Sequence, residues 1–320
     1  MAILKLKPAC KDYLWGGHKI REKYHIESDA EPFAEAWILS ANEKGPSIIE
    51  NGEYAGMSFR EYCENHPETV GLNPVITGEF RGVSGESGVT TERFPVLIKF
   101  LDAYKSLSLQ VHPDDNTAHL LNRDTGKTEF IYILEAEEGA ELIYGLEKEI
   151  SFREWRERVY TRKVLDVVHH QKVKAGEGYF VPAGTVHGYG AGILALEIQQ
   201  NSDVTYRIFD YDRVGKDGKH RPLHLQEAAM AANPGPVPED FGFDGHLVSC
   251  PFFTVDRFTE DFEEYADSSS YVSLVITEGS FTIKNGAEEV TGKPGESFFL
   301  PAGSGKIEVR GKGEIFRTRT

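Results

Sequence analysis

The segment KSLSLQVHPDD (105–115) alternates polar and apolar residues. In a strand, alternate side chains share a face. Leu107, Leu109 and Val111 then point one way, and Ser106, Ser108, Gln110 and His112 the other. Such a polar row is either a solvated face or one wall of a polar cavity. Two features favour the cavity. His-Pro-Asp-Asp ends the strand abruptly, and the next apolar stretch opens on Glu129, ahead of Ile131 and Ile133. His187 lies just past a strand and a Pro-Ala-Gly turn. Gln110, His112, Glu129 and His187 together offer two imidazoles, a carboxylate and an amide oxygen. That mixed set without cysteine suits zinc or another first-row divalent ion. His18, His119, His169, His170, His220 and His224 read as structural or surface residues.

The elements that must position these groups repeat. Gly176-Glu177 leads into Tyr179-Phe180-Val181-Pro182-Ala183-Gly184, and Gly295-Glu296 leads into Phe298-Phe299-Leu300-Pro301-Ala302-Gly303. Three residues past the shared glycine the first copy has His187 and the second Lys306. Many short alternating segments with glycine-rich turns surround both copies. The pattern predicts a mainly β fold of two related barrels. Helices read as additions near 57–70, 151–167 and 222–232. The first two open on capping boxes, Ser58 with Glu61 and Ser151 with Glu154. Phe152, Trp155 and Val159 form a stripe that must pack on something. NPGPVPEDFG (233–242) breaks regular structure and sets a boundary, giving units 1–232 and 233–320. RGVSGESGVTTER (81–93) reads as a long, polar, mobile loop.

The net charge of −16 argues against a nucleic-acid surface. No apolar run nears the roughly 20 residues of a membrane span, and no leader peptide is read. Three widely spaced cysteines imply a reduced, cytoplasmic chain.

SLSLQVHPDD, GKTE, VPAGTVHG and LEIQQNSDVTYRIFDYDR occur in that order, preceded by LWGG (14–17) and EAWILS (35–40). Together they resemble the type I mannose-6-phosphate isomerases, in their short bacterial form, over about residues 8–230. The resemblance implies tandem jelly-roll cupin barrels with the active site in the first; Lys306 in the place of His187, with no Q-x-H before it, leads us to expect no metal in the second. It implies a phosphorylated hexose as substrate and one divalent metal, zinc, on Gln110, His112, Glu129 and His187. Arg207 falls on the catalytic arginine and Lys127 on a lysine two residues before the ligand Glu129. Glu197 and Asp203 match acidic residues of the pocket, and Ser108 and Lys105 match positions near the substrate. Gly126 departs from the pattern: many longer members carry there a histidine assigned to sugar ring opening.

An aldose–ketose isomerase moves a proton between carbons 1 and 2 of an open-chain sugar. It needs a base, an electrophile for the enediolate oxygen and a cation for the phosphate. Arg207 and Lys127 can bind phosphate or stabilise developing charge. Glu197, Asp203, Lys127 and a water on the metal all remain open as proton carriers. Glu197 can equally be a surface residue, Asp203 a turn acid that orients Arg207, and Trp15 either packing or part of the sugar pocket. A cupin oxygenase and a non-catalytic sugar-phosphate-binding cupin are the alternatives. The single carboxylate and the amide fit a redox-inert Lewis acid better than the first. Keeping all the candidate groups argues against the second. The oligomeric state is not legible.

Overall fold

The computed structural model describes residues 3–71, 94–215 and 218–320. The polar stretch 81–93 lies outside them. The fold is mainly β, as expected, in three antiparallel sheets. Sheet I orders Gly178–Val181, Glu129–Ala136, Ile193–Gln200, Val96–Ala103, Glu35–Leu39 and Ala9–Lys11. Sheet II orders Tyr206–Phe209, Leu109–Val111, His187–Tyr189, Glu141–Leu146 and Val168–Lys172. Sheet III orders Val248–Ser249, Thr254–Phe258, Gly305–Arg319, Val272–Asn285, Ser297–Leu300, Leu4–Lys7 and Ile48–Ile49. Phe262–Ala266 and Glu288–Gly292 also pair into it.

Val96–Ala103 and Ile193–Gln200 are buried at every residue, because sheet I is covered on both faces. One face, with Ile98, Phe100, Phe130, Tyr132, Leu196 and Ile198, packs on Val255, Val275, Phe299 and Phe316 of sheet III. The other, with Leu101, Ile131, Ile133 and Ala195, meets Leu142 and Tyr189 of sheet II. Sheets I and II are thus the two walls of the first barrel. The outer face of sheet II, with Leu109, Val111, Ile143 and Leu146, lies under helices Phe152–Thr161 and Leu225–Ala231. Leu107 departs from the expected alternation: it precedes the strand and packs inside the barrel.

Ser58 and Ser151 cap their helices by accepting from the amides of Glu61 and Glu154, at 3.1 and 3.2 Å. Each cap stabilises by about 1 kcal/mol. Trp155 and Val159 are fully buried, but Phe152 is 61% exposed. It is the first residue of its helix and projects beyond the surface that the next turn covers. Helices Lys19–Tyr24 and Asp115–Leu120 were not foreseen. Asp114 caps the second through Thr117 N at 2.7 Å, so His-Pro-Asp-Asp ends a strand and opens a helix at once. No helix among the described residues is long and apolar enough to cross a membrane.

The repeated frame extends to individual hydrogen bonds. Lys174 N donates to Glu177 Oε2 and Gly176 N to Ile133 O. In the second copy Lys293 N donates to Glu296 Oε2 and Gly295 N to Ile276 O. Gly184 and Gly303 both take positive φ, +88° and +78°, which glycine alone adopts without strain. The second copy is completed from far away in sequence. Leu4 opposes Phe299 and Leu6 opposes Ser297, so the first strand of the chain extends the sheet built by its last third. A cut at 232/233 leaves this pairing across it.

LWGG has a physical reading. A side chain on Gly17 would lie 2.5 Å from Asp102 Oδ2, the atom that accepts from Lys19 N at 2.7 Å. Asp102 is 1% exposed, and burial pushes its carboxyl up to about 6. A raised acid favours the neutral form, so its folded-state penalty is absent below the ordinary value of 3.8 and complete above about 6. Asp102→Asn is expected to gain about 1–2 kcal/mol over wild type at neutral pH. That gain should vanish near pH 4 in paired urea titrations. A variant less stable at both pH values would contradict this.

Candidate active site

Antiparallel register sets the site. Tyr144 opposes His187, His187 opposes Gln110, and Gln110 opposes Arg207. Directly opposed residues share a face, so these four form one row across sheet II. On sheet I, Lys99 opposes Glu197, which opposes Ile131, while Gln199 opposes Glu129. The two rows face each other inside the first barrel. The turn that delivers His187 is pinned to the opposite strand: Gly184 N donates to His112 O at 2.7 Å. One backbone bond therefore couples the positions of both imidazoles.

His112, Glu129 and His187 are all buried and offer atoms within 4.8 Å of one another. His187 Nε2 lies 2.9 Å from Glu129 Oε1, and His112 Nε2 lies 3.5 Å from Glu129 Oε2. The outer nitrogens fix the tautomers. His112 Nδ1 donates to Val204 O at 2.7 Å and His187 Nδ1 to Thr185 O at 2.9 Å. Both Nε2 atoms then carry lone pairs aimed at the carboxylate, the orienting arrangement of metal-binding histidines. Glu129 is 0% exposed, and its Oε1 has no hydrogen-bond donor. A buried carboxylate oxygen without a donor, beside converging imidazole nitrogens, fits a cation. Gln110 Nε2 lies 3.3 Å from His187 Nε2, and its Oε1 accepts from Ser108 Oγ at 3.2 Å. Turning the amide over presents the oxygen to the same point.

Burial first, then the Lys127 charge, hold His112 well below its ordinary value, so it stays neutral. Burial pushes the Glu129 carboxyl up, but the Lys127 charge leads the opposing effects, and the carboxyl is held well below the carboxylate range. Lys127 Nζ lies 2.5 Å from Glu129, 3.2 Å from His112 and 3.5 Å from Glu197. Glu197 also receives Lys99 at 2.9 Å and the Tyr189 hydroxyl at 2.6 Å. Lys99 continues to Glu35 at 3.3 Å, and Trp37 Nε1 donates to Glu35 at 2.7 Å. A chain of alternating charges thus runs under the ligand set. Burial lowers Lys99, but Glu197 and Glu35 more than offset it, and the ammonium is held charged.

Lys99, Glu35 and Tyr189 were missed from the sequence. Lys99 is a lone cation in the otherwise apolar run VLIKFL, and a charge inside a doubly covered strand demands a partner. That signal was available. Asp203 stands apart from the buried chain, exposed and paired with Lys44 across two loops. Arg207 is half-buried, with no ion pair among the described residues. Burial, then nearby Arg221, lower it, and Asp210 partly compensates. Asp210 is buried and binds Arg221, with Arg213 3.9 Å away. Lys105 is exposed; Trp15 is buried against Tyr13, ring centres 5.6 Å apart. At Gly126 a side chain would lie 2.5–2.7 Å from the backbone of Pro113, Asp114 and Asp115. The place of the longer members' histidine is closed by the chain itself.

The second barrel can be aligned by register. Val181 opposes Glu129 where Leu300 opposes Val272, and His187 opposes Gln110 where Lys306 opposes Tyr265. Gly303 N donates to Asp267 O as Gly184 N does to His112 O. Gln110, His112, Glu129 and His187 thus correspond to Tyr265, Asp267, Val272 and Lys306. Lys306 is exposed and paired with Glu263 and Glu308 at 3.1 and 3.0 Å.

Two family models match: "Phosphomannose isomerase type I, catalytic domain" over residues 3–144, and "Mannose-6-phosphate isomerase, cupin domain" over 244–320. The chain is 33% identical to the mannose-6-phosphate isomerase ManA of Bacillus subtilis, over 97% of this chain and 96% of that protein. It is 34% identical to the Streptococcus mutans mannose-6-phosphate isomerase, over 90% and 89%. The crystal structure of the Bacillus subtilis mannose 6-phosphate isomerase superposes with a TM-score of 0.85, covering 99% of both chains. With that identity spread over nearly its whole length, this chain belongs to the type I phosphomannose isomerases.

Proposed function

We propose that this protein interconverts mannose 6-phosphate and fructose 6-phosphate through an enediol(ate), using one zinc ion. The observation that carries the reading is the undonated Oε1 of the fully buried Glu129 carboxylate, 2.9 Å from His187 Nε2, with His112 Nε2 beside the other oxygen. Gln110, His112, Glu129 and His187 would hold the metal. When bound, it polarises a sugar oxygen as a Lewis acid, an effect of several kcal/mol.

The chain's own groups do the rest. Glu197 accepts from Lys99, Lys127 and Tyr189, so its lone pairs are largely spent on anchoring the two lysines. Lys127 is the group assigned to carry the proton. It leaves carbon 2 of the aldose as the enediol(ate) forms and returns at carbon 1. Lys127 Nζ stands beside the candidate ligands, 2.5 Å from Glu129 and 3.2 Å from His112. Asp203, at the rim with Lys44, steadies the loop that leads to Arg207. Arg207, with no ion pair among the described residues and with Arg221 nearby, meets the phosphate with Lys105. Ser108 holds the Gln110 amide, and Trp15 packs beneath the pocket. We assign the catalysis to 1–232 and leave 233–320 without metal, on the four register replacements above. A cytoplasmic location is supported by three free cysteines.

A coupled assay with mannose 6-phosphate is expected to show activity that a chelator abolishes and divalent metal restores. His187→Ala should lose about 10²-fold or more in kcat, and Lys306→Ala should match wild type. Full activity in a chelated, metal-free sample would overturn the reading. Glu197→Gln keeps the shape but removes the charge that anchors both lysines. It is expected to lower kcat by about 10²–10³-fold while leaving the bound metal in place by elemental analysis. Wild-type kcat in that variant would contradict the anchoring role.

A further inference from the structure

The strand Tyr206–Phe209 is an edge of sheet II, and it carries Arg207. Edge strands leave backbone groups unpaired. At Arg207 both are taken by one residue from a distant segment. His224 N donates to Arg207 O at 2.8 Å, and Arg207 N donates to His224 Nδ1 at 3.2 Å. The imidazole nitrogen therefore does what a carbonyl of a neighbouring strand would do. The backbone of Arg207 is fixed on its inner side by the ladder with Leu109–Val111 and on its outer side by His224 alone.

We propose that His224 is a positioning residue that locks the Arg207 backbone at the edge of the barrel and releases it when protonated. The acceptor is a lone pair on Nδ1, so the proton of the neutral ring sits on Nε2. A second proton must go to Nδ1, and an N–H there cannot accept from Arg207 N. The bond is then lost and two donors oppose each other.

The groups around the ring are few. Arg207 faces it from the strand and Glu227 from helix Leu225–Ala231. Arg123 faces it from the segment after helix Asp115–Leu120. The Tyr206 ring lies 6.1 Å away. Burial, then the Arg207 charge, lower the imidazole from its ordinary 6.5; Glu227 opposes them and Arg123 adds to them. The lock is thus closed at neutral pH and opens only in acid. None of these groups is among the candidate metal ligands. Its consequence for turnover rests on the proposed role of Arg207 toward the phosphate.

The test uses the full-length protein and two variants. His224→Ala removes the acceptor. His224→Asn keeps one, because Asn Oδ1 stands where His Nδ1 does, but cannot be protonated. The first readout is hydrogen exchange of the Arg207 amide by NMR, which does not depend on activity. Protection is expected to fall at least about tenfold in His224→Ala, and in wild type as the pH is lowered into the acid range below the imidazole's ordinary 6.5. In His224→Asn it should persist across that range. The second readout is kcat/KM for mannose 6-phosphate against pH. We expect a loss of about 10–100-fold in His224→Ala, from a displaced Arg207. His224→Asn should have near-wild-type values at neutral pH and a shallower acid limb, one proton fewer than wild type. Unchanged Arg207 protection in His224→Ala would overturn the proposal, as would equal defects in the two variants. If His224→Ala fails to fold, protection in His224→Asn against wild type in acid decides. A wild-type protein without isomerase activity would refute the functional reading, and Arg207 protection would still decide the lock.

Discussion

Two imidazoles and a carboxylate, all buried, converge on one point in the first barrel, and Oε1 of the carboxylate has no donor. Bringing a carboxylate and two neutral imidazoles together in a low-dielectric interior is unfavourable unless a cation stands among them. Lys127 reaches Glu129 and His112, and a divalent ion suits the same donors. Most of the surrounding structure can be read as what this convergence requires. Val204 and Thr185 carbonyls fix the ring tautomers, and the Gly184–His112 bond couples the two loops. The chain Glu35–Lys99–Glu197–Lys127 balances charge under the ligands.

The second barrel shows the same frame with the four candidate-ligand positions replaced. Glu197 opposes Lys99 in the first barrel. At the matching register Arg317 opposes Asp256, with the charges exchanged. Arg317 also binds Glu264 from the neighbouring strand. The buried pair survives as an ion pair while the ligands around it are replaced. What the second barrel keeps is packing: Val275, Phe299 and Phe316 cover the outer face of the sheet that carries Glu129 and Glu197. Tyr132, on the Glu129 strand, bonds Glu314 at 3.0 Å and Arg257 at 3.0 Å. The second half thus acts on the site as a rigid backing.

That the candidate ligands come together was legible because strand alternation puts Gln110 and Ser108 on one face and because the duplicated turn isolates His187 against Lys306. The capping boxes were legible because the bonds are local. What the sequence hid is set by pairing between distant segments. Lys99 and Glu35 look like odd charges until the register places them opposite Glu197 and beside each other. The entry of Leu4–Lys7 into sheet III has no local signal, since any four-residue apolar–polar alternation reads alike. His224 looks like one more surface histidine because its partner is a backbone group at Arg207, 17 residues back in the chain.

The most direct test of the account is the metal content of the purified protein, measured by elemental analysis beside that of Glu129→Gln. The substitution preserves size and removes the central charge. The account predicts one equivalent of divalent metal in wild type and almost none in the variant, with the fold intact by circular dichroism. A wild-type chain that binds no metal, or a variant that keeps a full equivalent, would contradict it.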